Sequence, residues 1–433
     1  MTAWIGDLFR SDVGWNHLET LVDGGSRMAG TTGERQAAEA TRDALAEYAR
    51  DVRLDEFPIQ GWERGSSTIE TPAGEEECIA LPRSPAEEVS GRFVDLGHGL
   101  PRDFEQTDVE GAIVMVSADV PDWYDRFVHR REKYYYAVRD GAVGFVFKNH
   151  YEGCLPPTGS VGNDDDPIGS IPAVGVSKEV GQRLGRRFDG ETVDLAVEAD
   201  IADATSQNVH AELGPDTDEE VLVTSHVDAH DIAEGAMDNG AGTAMVVELA
   251  RALADREDEL DRTVHFIAYG SEEVGLVGSG YDARNRNQDR ITAILNLDGV
   301  VQARTLSFYT HGFDALRAVA EDVADEFGHP IHTTPEQGPH SDHWQYVKWG
   351  VPGYHVTSKT DDEGRGWGHT YGDTLDKLER RTFREQAILL TALAIRLADD
   401  GFTVAHASPD DIAAALEAED KAEGMKVTGD WPY

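Results

Sequence analysis

The sequence predicts an α/β protein, in which helices cover both faces of a twisted and mostly parallel β-sheet. Between Val221 and Asp298, three short apolar runs rich in β-branched residues alternate with polar turns and one helical pattern, an order typical of βαβ units. The runs end, in chain order, at His226, at Glu272 with Glu273, and at Asp298. Ligands of such sheets bind beyond the carboxyl ends of the strands. These side chains therefore mark the edge of the sheet where we expect a site.

The composition indicates a folded protein with a strongly acidic surface. The 433 residues carry 38 basic and 82 acidic side chains, for a net charge of −44, and only 8 of the basic residues are lysine. A disordered acidic chain would lack apolar patterning, whereas 40% of these residues are apolar. We therefore predict a halophilic protein in which salt screens the repulsion between carboxylates. Nucleic acid is not expected as a partner, because the basic residues form no stripe.

The cysteines and the first residues favour a cytoplasmic location. Cys78 and Cys154 lack the CxxC spacing and are too few for a disulfide framework. The amino-terminal stretch shows no basic region followed by an apolar core, as a signal peptide would. No run approaches the roughly 18 apolar residues of a transmembrane helix. We expect a soluble cytoplasmic protein without a membrane partner, and a homo-oligomer remains open.

Changes of texture along the chain predict two domains. The stretch up to about residue 60 predicts two helices and then a strand. Turns then become frequent and the predicted strands short, until the alternation of strands and helices resumes at about residue 201. The acidic tail, 405–433, is expected to be loosely held. The predicted domains are thus one domain of residues 1–60 and 201–433, and an insert of residues 61–200.

The strongest chemical pattern is a set of possible metal ligands in this order: His226, Asp238, Glu273, Asp298 and His369. Zinc binds histidine nitrogen and carboxylate oxygen, and a catalytic zinc keeps one position open for water. Five ligands are too many for one such ion but suit two if one carboxylate bridges them. Paired metals about 3.5–4 Å apart can hold both an attacking water and a polarised carbonyl oxygen. A single His or Asp at a strand end is more often structural, so the ordered set carries the prediction.

Six motifs within residues 206–380 point to one family: SHVD, GAMDNGAGTA, AYGSEEVGLVGS, NLDGV, SDHWQYVKWGVPG and GHTYGDTLDKL. In this order they resemble the co-catalytic di-zinc aminopeptidases, a family that also includes glutamate carboxypeptidases and glutaminyl cyclases. Within the insert, VEGAIVMVSADV and IGSIPAVGVSKEVGQRL resemble a protease-associated domain, a β-rich module that acts as a lid. The resemblance thus implies a zinc-peptidase fold with such an insert.

The resemblance also implies a role for each member of the set. One zinc would be bound by His226 and Asp298, the other by Glu273 and His369, with Asp238 bridging the two. Glu272 would be the general base, taking a proton from the attacking water and passing it to the leaving amine. Asp228 would hold the imidazole of His226 through its other nitrogen. Relatives have a cis peptide bond after the bridging residue, so we expect one between Asp238 and Asn239.

The substrate side of the site is less closely defined by the resemblance. Asp342 and His343 would orient groups in the pocket or face the substrate. Some family members place a tyrosine before the last zinc-binding histidine to stabilise the oxyanion, whereas this chain has Gly368 there. Tyr371 could take its place if the loop turns inward.

These observations predict a metal-dependent exopeptidase that hydrolyses the amino-terminal bond of short peptides. Acids outnumber bases in the loops beside the motifs, which favours binding of a terminal ammonium group over a carboxylate. Arg365 is the basic residue that would reverse this choice, because an arginine can hold a terminal carboxylate through two hydrogen bonds. A carboxypeptidase or dipeptidase with the same metal chemistry, and a non-catalytic relative, remain alternatives.

Overall fold

The computed structural model of the chain describes residues 3–124, 126–163, 166–360 and 367–433. By their contacts these residues form two compact units. The first unit comprises Met1–Ile59, Ala204–Gly368 and Asp373–Ala415, and the second comprises Gln60–Asp203, His369–Gly372 and Leu416–Tyr433. The second unit also includes residues 369–372 and 416–433, which the sequence analysis placed in the domain of residues 1–60 and 201–433.

The strands of the chain are β1 (Arg50–Thr71), β2 (Gly74–Glu76), β3 (Ile79–Ala80), β4 (Glu88–Asp95), β5 (Ala112–Ser117), β6 (Gly144–Lys148), β7 (Ala173–Val176), β8 (Thr192–Leu213), β9 (Glu220–His226), β10 (Thr263–Tyr269), β11 (Ile291–Leu297), β12 (Leu306–Tyr309), β13 (Ile331–Thr334) and β14 (Gly353–Ser358). The helices are α1 (Ala3–Arg10), α2 (Val13–Asp23), α3 (Thr32–Leu45), α4 (Pro101–Gln106), α5 (Arg130–Arg139), α6 (Lys178–Phe188), α7 (Ala241–Ala254), α8 (Val277–Asn285), α9 (Asp314–Phe327), α10 (Trp344–Val347), α11 (Arg380–Ala398), α12 (Pro409–Ala418) and α13 (Ala422–Thr428).

In the first unit the strands form a mostly parallel sheet. Their order is β13-β12-β14-β11-β9-β10-β8. The three central strands β11, β9 and β10 run parallel, as do β14 beside β11 and β13 beside β12. The antiparallel neighbours are β8 beside β10 and β12 beside β14. The predicted α/β fold with a mostly parallel sheet is confirmed.

Helices cover both faces of this sheet, because its strands bury side chains on both sides. Successive residues of a strand point to opposite faces. In β9, Val221 and Val223 belong to the large core cluster that also contains residues of α7 and α11. Leu222, between them, belongs to a separate cluster with Ala283 of α8 and Tyr346 of α10. The near-continuous apolar runs in the sequence are those of strands buried on both faces.

Local backbone chemistry decides where the helices begin. The N-cap of α3 is Thr31, whose hydroxyl accepts the amide hydrogen of Glu34. The pattern from residue 311 to 327 predicts a helix, but α9 begins only at Asp314. His311 and Gly312 have φ values of 50° and 83°, which lie in the left-handed region. A right-handed helix cannot include these residues, so the first turn of the predicted helix does not form.

The second unit is itself an α/β structure. Its strands follow the order β8-β4-β5-β6-β7-β3, and β4, β5, β6 and β7 run parallel. Helices α5 and α13 pack together, and Arg131 forms an ion pair with Asp430 at 2.8 Å. Leu416 and Met425 are buried. The prediction of a loosely held tail is therefore wrong, because apolar contacts and this ion pair anchor it.

Among the residues that the structure describes, no helix is both long enough and apolar enough to cross a membrane.

The acidic composition leads to a prediction about salt. Raising KCl from about 0.1 M to about 1 M shortens the Debye length from about 10 Å to about 3 Å, which weakens repulsion between exposed carboxylates. We therefore expect the midpoint of thermal unfolding to rise by at least about 10 °C over this range, corresponding to several kcal/mol of stability. Circular dichroism at each salt concentration would measure it. Sucrose is the control, since it favours the compact state without screening charge. An equal rise of the unfolding midpoint in KCl and in sucrose, or no rise in KCl, would contradict the halophilic interpretation.

Candidate metal centre

Three of the predicted ligands and the predicted base Glu272 lie at the ends of three adjacent parallel strands, at the same edge of the sheet. In β9 the last residue is His226, and it pairs with Tyr269 at the end of β10. Glu272 and Glu273 follow β10 after a two-residue turn, and Asp298 follows β11 directly. Parallel strands present their carboxyl ends together, so these side chains converge where the sequence places the site.

Three carboxylates surround one nitrogen of His226. Its Nε2 lies 3.2 Å from Oδ1 of Asp238, 3.6 Å from Oδ1 of Asp298 and 4.0 Å from Oε2 of Glu272. Within the described residues this buried nitrogen makes no well-aligned hydrogen bond. Nδ1 lies 3.1 Å from the carbonyl oxygen of Asp228, to which it can donate. The ring can therefore keep a lone pair on Nε2, in the position that a metal ion would use.

The carboxylates around His226 stabilise a positive charge between them. Burial lowers the pKa of the His226 imidazole, but the Glu272 carboxylate and the contact with Asp238 raise it, and its pKa lies well above the usual value. Burial raises the pKa of Asp298, yet contact with His226 outweighs this and the net shift is downward. A divalent cation among these oxygens and this nitrogen would satisfy the same demand, so the residues present fit a zinc site.

Glu272 and Glu273 point to different partners. Burial raises the pKa of the Glu272 carboxyl well above its usual value; His226 opposes this shift and Glu273 adds to it. The carboxylate of Glu273 lies 2.9 Å from Nε2 of His230, a residue that the sequence analysis did not select. His230 is the second histidine of His-Val-Asp-Ala-His, four residues after His226, and that spacing could have drawn attention to it.

The carboxylate of Asp228 binds the backbone of the loop after β10 as well as lying near His226. Its Oδ1 accepts the amide hydrogen of Glu272 at 3.0 Å and its Oδ2 accepts that of Glu273 at 3.1 Å. Its carboxylate lies farther from Nδ1 of His226, at 3.5 Å, than its carbonyl oxygen does. Asp228 is thus placed to orient the loop after β10, in addition to its predicted contact with His226.

The buried carboxylate of Glu34, in α3, also supports the loop after β10. Oε1 of Glu34 accepts the amide hydrogen of Ser271 at 3.0 Å and the hydroxyl hydrogen of Ser206 at 2.7 Å. Ser271 has a φ of 59°, which is uncommon for a residue with a side chain. Burial raises the pKa of Glu34 to about 8. No sequence pattern marked this residue, which lies over 230 positions before the loop it holds.

Asp238, the predicted bridging residue, sits in an irregular turn before α7. A cis peptide bond joins Asp238 and Asn239, as predicted. The carboxylate of Asp373 accepts the amide hydrogens of Met237, at 2.7 Å, and Asp238, at 3.2 Å. Asn239 donates to the carbonyl of Leu297, the last residue of β11. Asp373 was not selected from the sequence, although it lies in the GHTYGDTLDKL motif.

The motif around Asp342 is buried beside Asp298. Oδ2 of Asp298 accepts the hydroxyl hydrogen of Ser341 at 2.6 Å. Asp342 and His343 are fully buried, and burial raises the pKa of Asp342 to about 8. That Asp342 and His343 orient groups in the pocket or face the substrate stays a prediction.

His369 and Tyr371 belong to the second unit by their contacts. The amide of Thr158 donates to the carbonyl of His369 at 2.8 Å, and His369 has a φ of 54°. Tyr371 is 44% exposed. The role of His369 as a ligand and that of Tyr371 as an oxyanion donor therefore stay predictions. Arg365 lies outside the described residues.

Comparisons with known proteins relate the chain to one peptidase family. Residues 208–394 match the model of peptidase family M28, and residues 80–184 match that of the PA domain. Aminopeptidase YwaD of Bacillus subtilis (strain 168) is 26% identical over 390 residues, which cover 85% of this chain and 80% of that protein. Carboxypeptidase Q of Bos taurus is 25% identical over 408 residues, covering 89% and 85%. The solved structure of BSAP, a zinc aminopeptidase from Bacillus subtilis, covers 91% of this chain and 96% of its own, with a TM-score of 0.71 and 25% identity. The predicted family resemblance is confirmed.

Proposed function

We propose that this chain, which belongs to peptidase family M28 in residues 208–394 and carries a PA domain in residues 80–184, is a metal-dependent exopeptidase acting on the amino terminus of short peptides. One observation carries the proposal: the carboxylates of Asp238, Asp298 and Glu272 lie within 4.0 Å of Nε2 of His226. Such a constellation is costly to bury unless a cation compensates it. In a metal-dependent peptidase, the bound metal ion would be the cation that compensates these carboxylates.

The proposed ligands form two sets that share one residue. His226 and Asp298 would hold one zinc ion, Glu273 and His369 the other, and Asp238 would bridge them. The short contacts of His226 with Asp238 and Asp298 support the first set. For the second set, the 2.9 Å contact between Glu273 and His230 adds a possible further nitrogen ligand. Ions held in this way would polarise the scissile carbonyl group and make a bound water more acidic.

Glu272 is proposed as the proton carrier of the reaction. Its carboxylate would accept a proton from the attacking water as the water oxygen bonds to the carbonyl carbon of the peptide. When the C–N bond breaks, Glu272 would return this proton to the leaving nitrogen, so that the residue ends the cycle unchanged. Burial shifts the pKa of Glu272 upward, the direction that helps a carboxylate to hold a proton between the two steps.

The charges near the site support recognition of a terminal ammonium group. A carboxypeptidase needs a cation that can pair with the substrate carboxylate. Arg286, one of the basic residues near the glutamate pair in sequence, is already bound by Glu220 and Asp282 in the folded unit. These partners occupy its guanidinium, so Arg286 is not placed to pair with a substrate carboxylate. The relatives include both aminopeptidases and carboxypeptidases, so the substrate end must be tested directly.

The test compares one peptide in three forms: free, N-acetylated and C-amidated, with zinc at high salt. We expect the free and C-amidated peptides to lose their first residue and the N-acetylated peptide to stay intact, as read by mass spectrometry. Cleavage of the N-acetylated form with loss of activity on the C-amidated form would identify a carboxypeptidase instead. Absence of cleavage in every form, with no bound metal, would indicate a non-catalytic relative.

The proposal also covers the salt conditions, the cellular location and the partners of the enzyme. The acidic, lysine-poor composition supports activity in concentrated salt, and the two unpaired cysteines are compatible with the cytoplasm. Peptides are the proposed partners, with neither nucleic acid nor membrane involved and with a homo-oligomer left open.

A further inference from the structure

A buried arginine connects the two loops of the first unit that carry His226 and Asp238. Arg27 is 2% exposed and lies in the loop between α2 and α3. Its guanidinium donates to three carbonyl oxygens in these loops: that of Val227 at 3.0 Å, that of Glu234 at 2.8 Å and that of Gly235 at 2.9 Å. Val227 follows His226 directly, and Gly235 precedes Asp238 by three residues. One side chain therefore touches the backbone beside both predicted ligands.

The backbone of the same residue strengthens the connection. The amide of Ala229 donates to the carbonyl of Arg27 at 3.1 Å. Arg27 thus binds the chain on both sides of Asp228, the residue whose carboxylate holds the loop of the glutamate pair. Gly235 has a φ of 61°, and a Cβ atom there would lie 2.9 Å from the guanidinium and 2.4 Å from Cβ of Ala229. The loop before α7 is therefore closed tightly onto Arg27.

Asp238 is held from its other side as well. Asp373 accepts the amide hydrogens of Met237 and Asp238, as described above. The chain from residue 234 to 238 is thereby fixed by a cation that binds its carbonyl groups and an anion that binds its amides. Both contacts hold the backbone around Asp238 and not its carboxylate.

The charge of Arg27 matters in addition to its geometry. Arginine presents five N–H donors in a rigid planar fork and stays protonated in proteins. The carboxylates of Asp373, Asp228 and Asp238 act on its guanidinium from within the same buried region. A fixed cation at this place offsets part of their mutual repulsion whether or not a metal ion is bound.

We propose that Arg27 is a positioning residue of the metal centre, which holds the loop after β9 and the loop before α7 so that His226 and Asp238 keep the separation needed to share one metal ion. The inference rests on the proposed function, because it takes these two residues to be ligands. It adds a residue remote in sequence that sets the metal affinity without touching metal or substrate.

The first unit offers a matched control. Arg262 is also buried and donates to backbone carbonyl groups, those of Leu397 at 3.3 Å and Phe402 at 3.0 Å, besides its pair with Glu219. It directly precedes β10 and so lies at the amino end of the strand, opposite the metal centre. Arg262→Lys removes a comparable buried guanidinium from the same unit. It therefore measures how much stability is lost when any such guanidinium is replaced.

The test measures cobalt(II) binding to the full chain by competition with a chromophoric chelator, together with the cobalt absorption spectrum. Arg27→Lys keeps the charge but loses the fork, and we expect its cobalt affinity to fall about 10–100-fold, the range found when residues that orient metal ligands are replaced. The cobalt spectrum should change as well. Arg262→Lys should keep both the affinity and the spectrum of the unaltered protein, even if its unfolding midpoint falls as much.

Three outcomes would overturn the proposal. One is an unchanged affinity and spectrum in Arg27→Lys, and another is an equal loss of affinity in Arg262→Lys. The third is failure of both Arg27→Lys and Arg27→Gln to fold while Arg262→Lys folds, since Arg27 would then be required for folding rather than for positioning. Failure of the proposed function looks different: the unaltered protein would bind no cobalt and cleave no peptide.

Discussion

Glu272→Gln should remove nearly all peptide hydrolysis while leaving the metal content unchanged. The amide has the shape of the carboxylate but cannot take a proton from water, and loss of a general base typically costs about 10²–10⁴-fold in rate. Metal should remain because the proposed ligand sets do not include Glu272. We would measure kcat on a free peptide and the zinc content of the same preparation.

The geometry makes this experiment decisive. The ligand atoms of His226, Glu272 and Asp298 lie within 4.8 Å of one another, so distance alone would also allow Glu272 to be a ligand. The neighbouring substitution Glu273→Gln is the matched control, because it should release metal as well as activity. If Glu272→Gln lost the metal and Glu273→Gln kept it, the proposed roles of the two residues would have to be exchanged.

Asp238→Asn should leave fewer than two metal ions per chain. Its side chain is the proposed bridge, and a neutral amide is a much weaker ligand for both ions than a carboxylate. Loss of a metal that polarises the substrate removes several kcal/mol of transition-state stabilisation, so kcat should fall at least about 100-fold. Metal analysis after dialysis, with kcat measured at saturating zinc, would check both effects.

The backbone around Asp238 allows a clean comparison. Asp373 holds the amides of Met237 and Asp238, so the turn should survive the substitution. Asp314→Asn is the control, since Asp314 is an exposed residue of α9 that pairs with Arg317. It should change neither metal content nor kcat. Two tightly bound ions in Asp238→Asn would refute the bridging role.

The strand ends could be predicted because they depend on local patterns. Each of β9, β10 and β11 is a short apolar run, and such a run can be recognised without knowing what lies beside it. Helix α9 begins later than predicted, because apolar periodicity alone does not show that His311 and Gly312 form a left-handed turn. The motifs then ordered the candidate ligands, and the residues His226, Asp238 and Asp298 do come together.

The sequence by itself therefore determined the α/β class, the edge of the sheet that carries the site and the family of the chain, since all of these follow from periodicity and from short motifs. Only the tertiary structure decided which distant groups hold that site in place. Arg27 reaches Val227 across 200 positions, Glu34 reaches Ser271 across 237, and Asp373 reaches Met237 across 136. These contacts join side chains to backbone groups, which every residue possesses. The residue type at the backbone partner therefore does not indicate that such a hydrogen bond forms. The bond can be identified only from the folded structure.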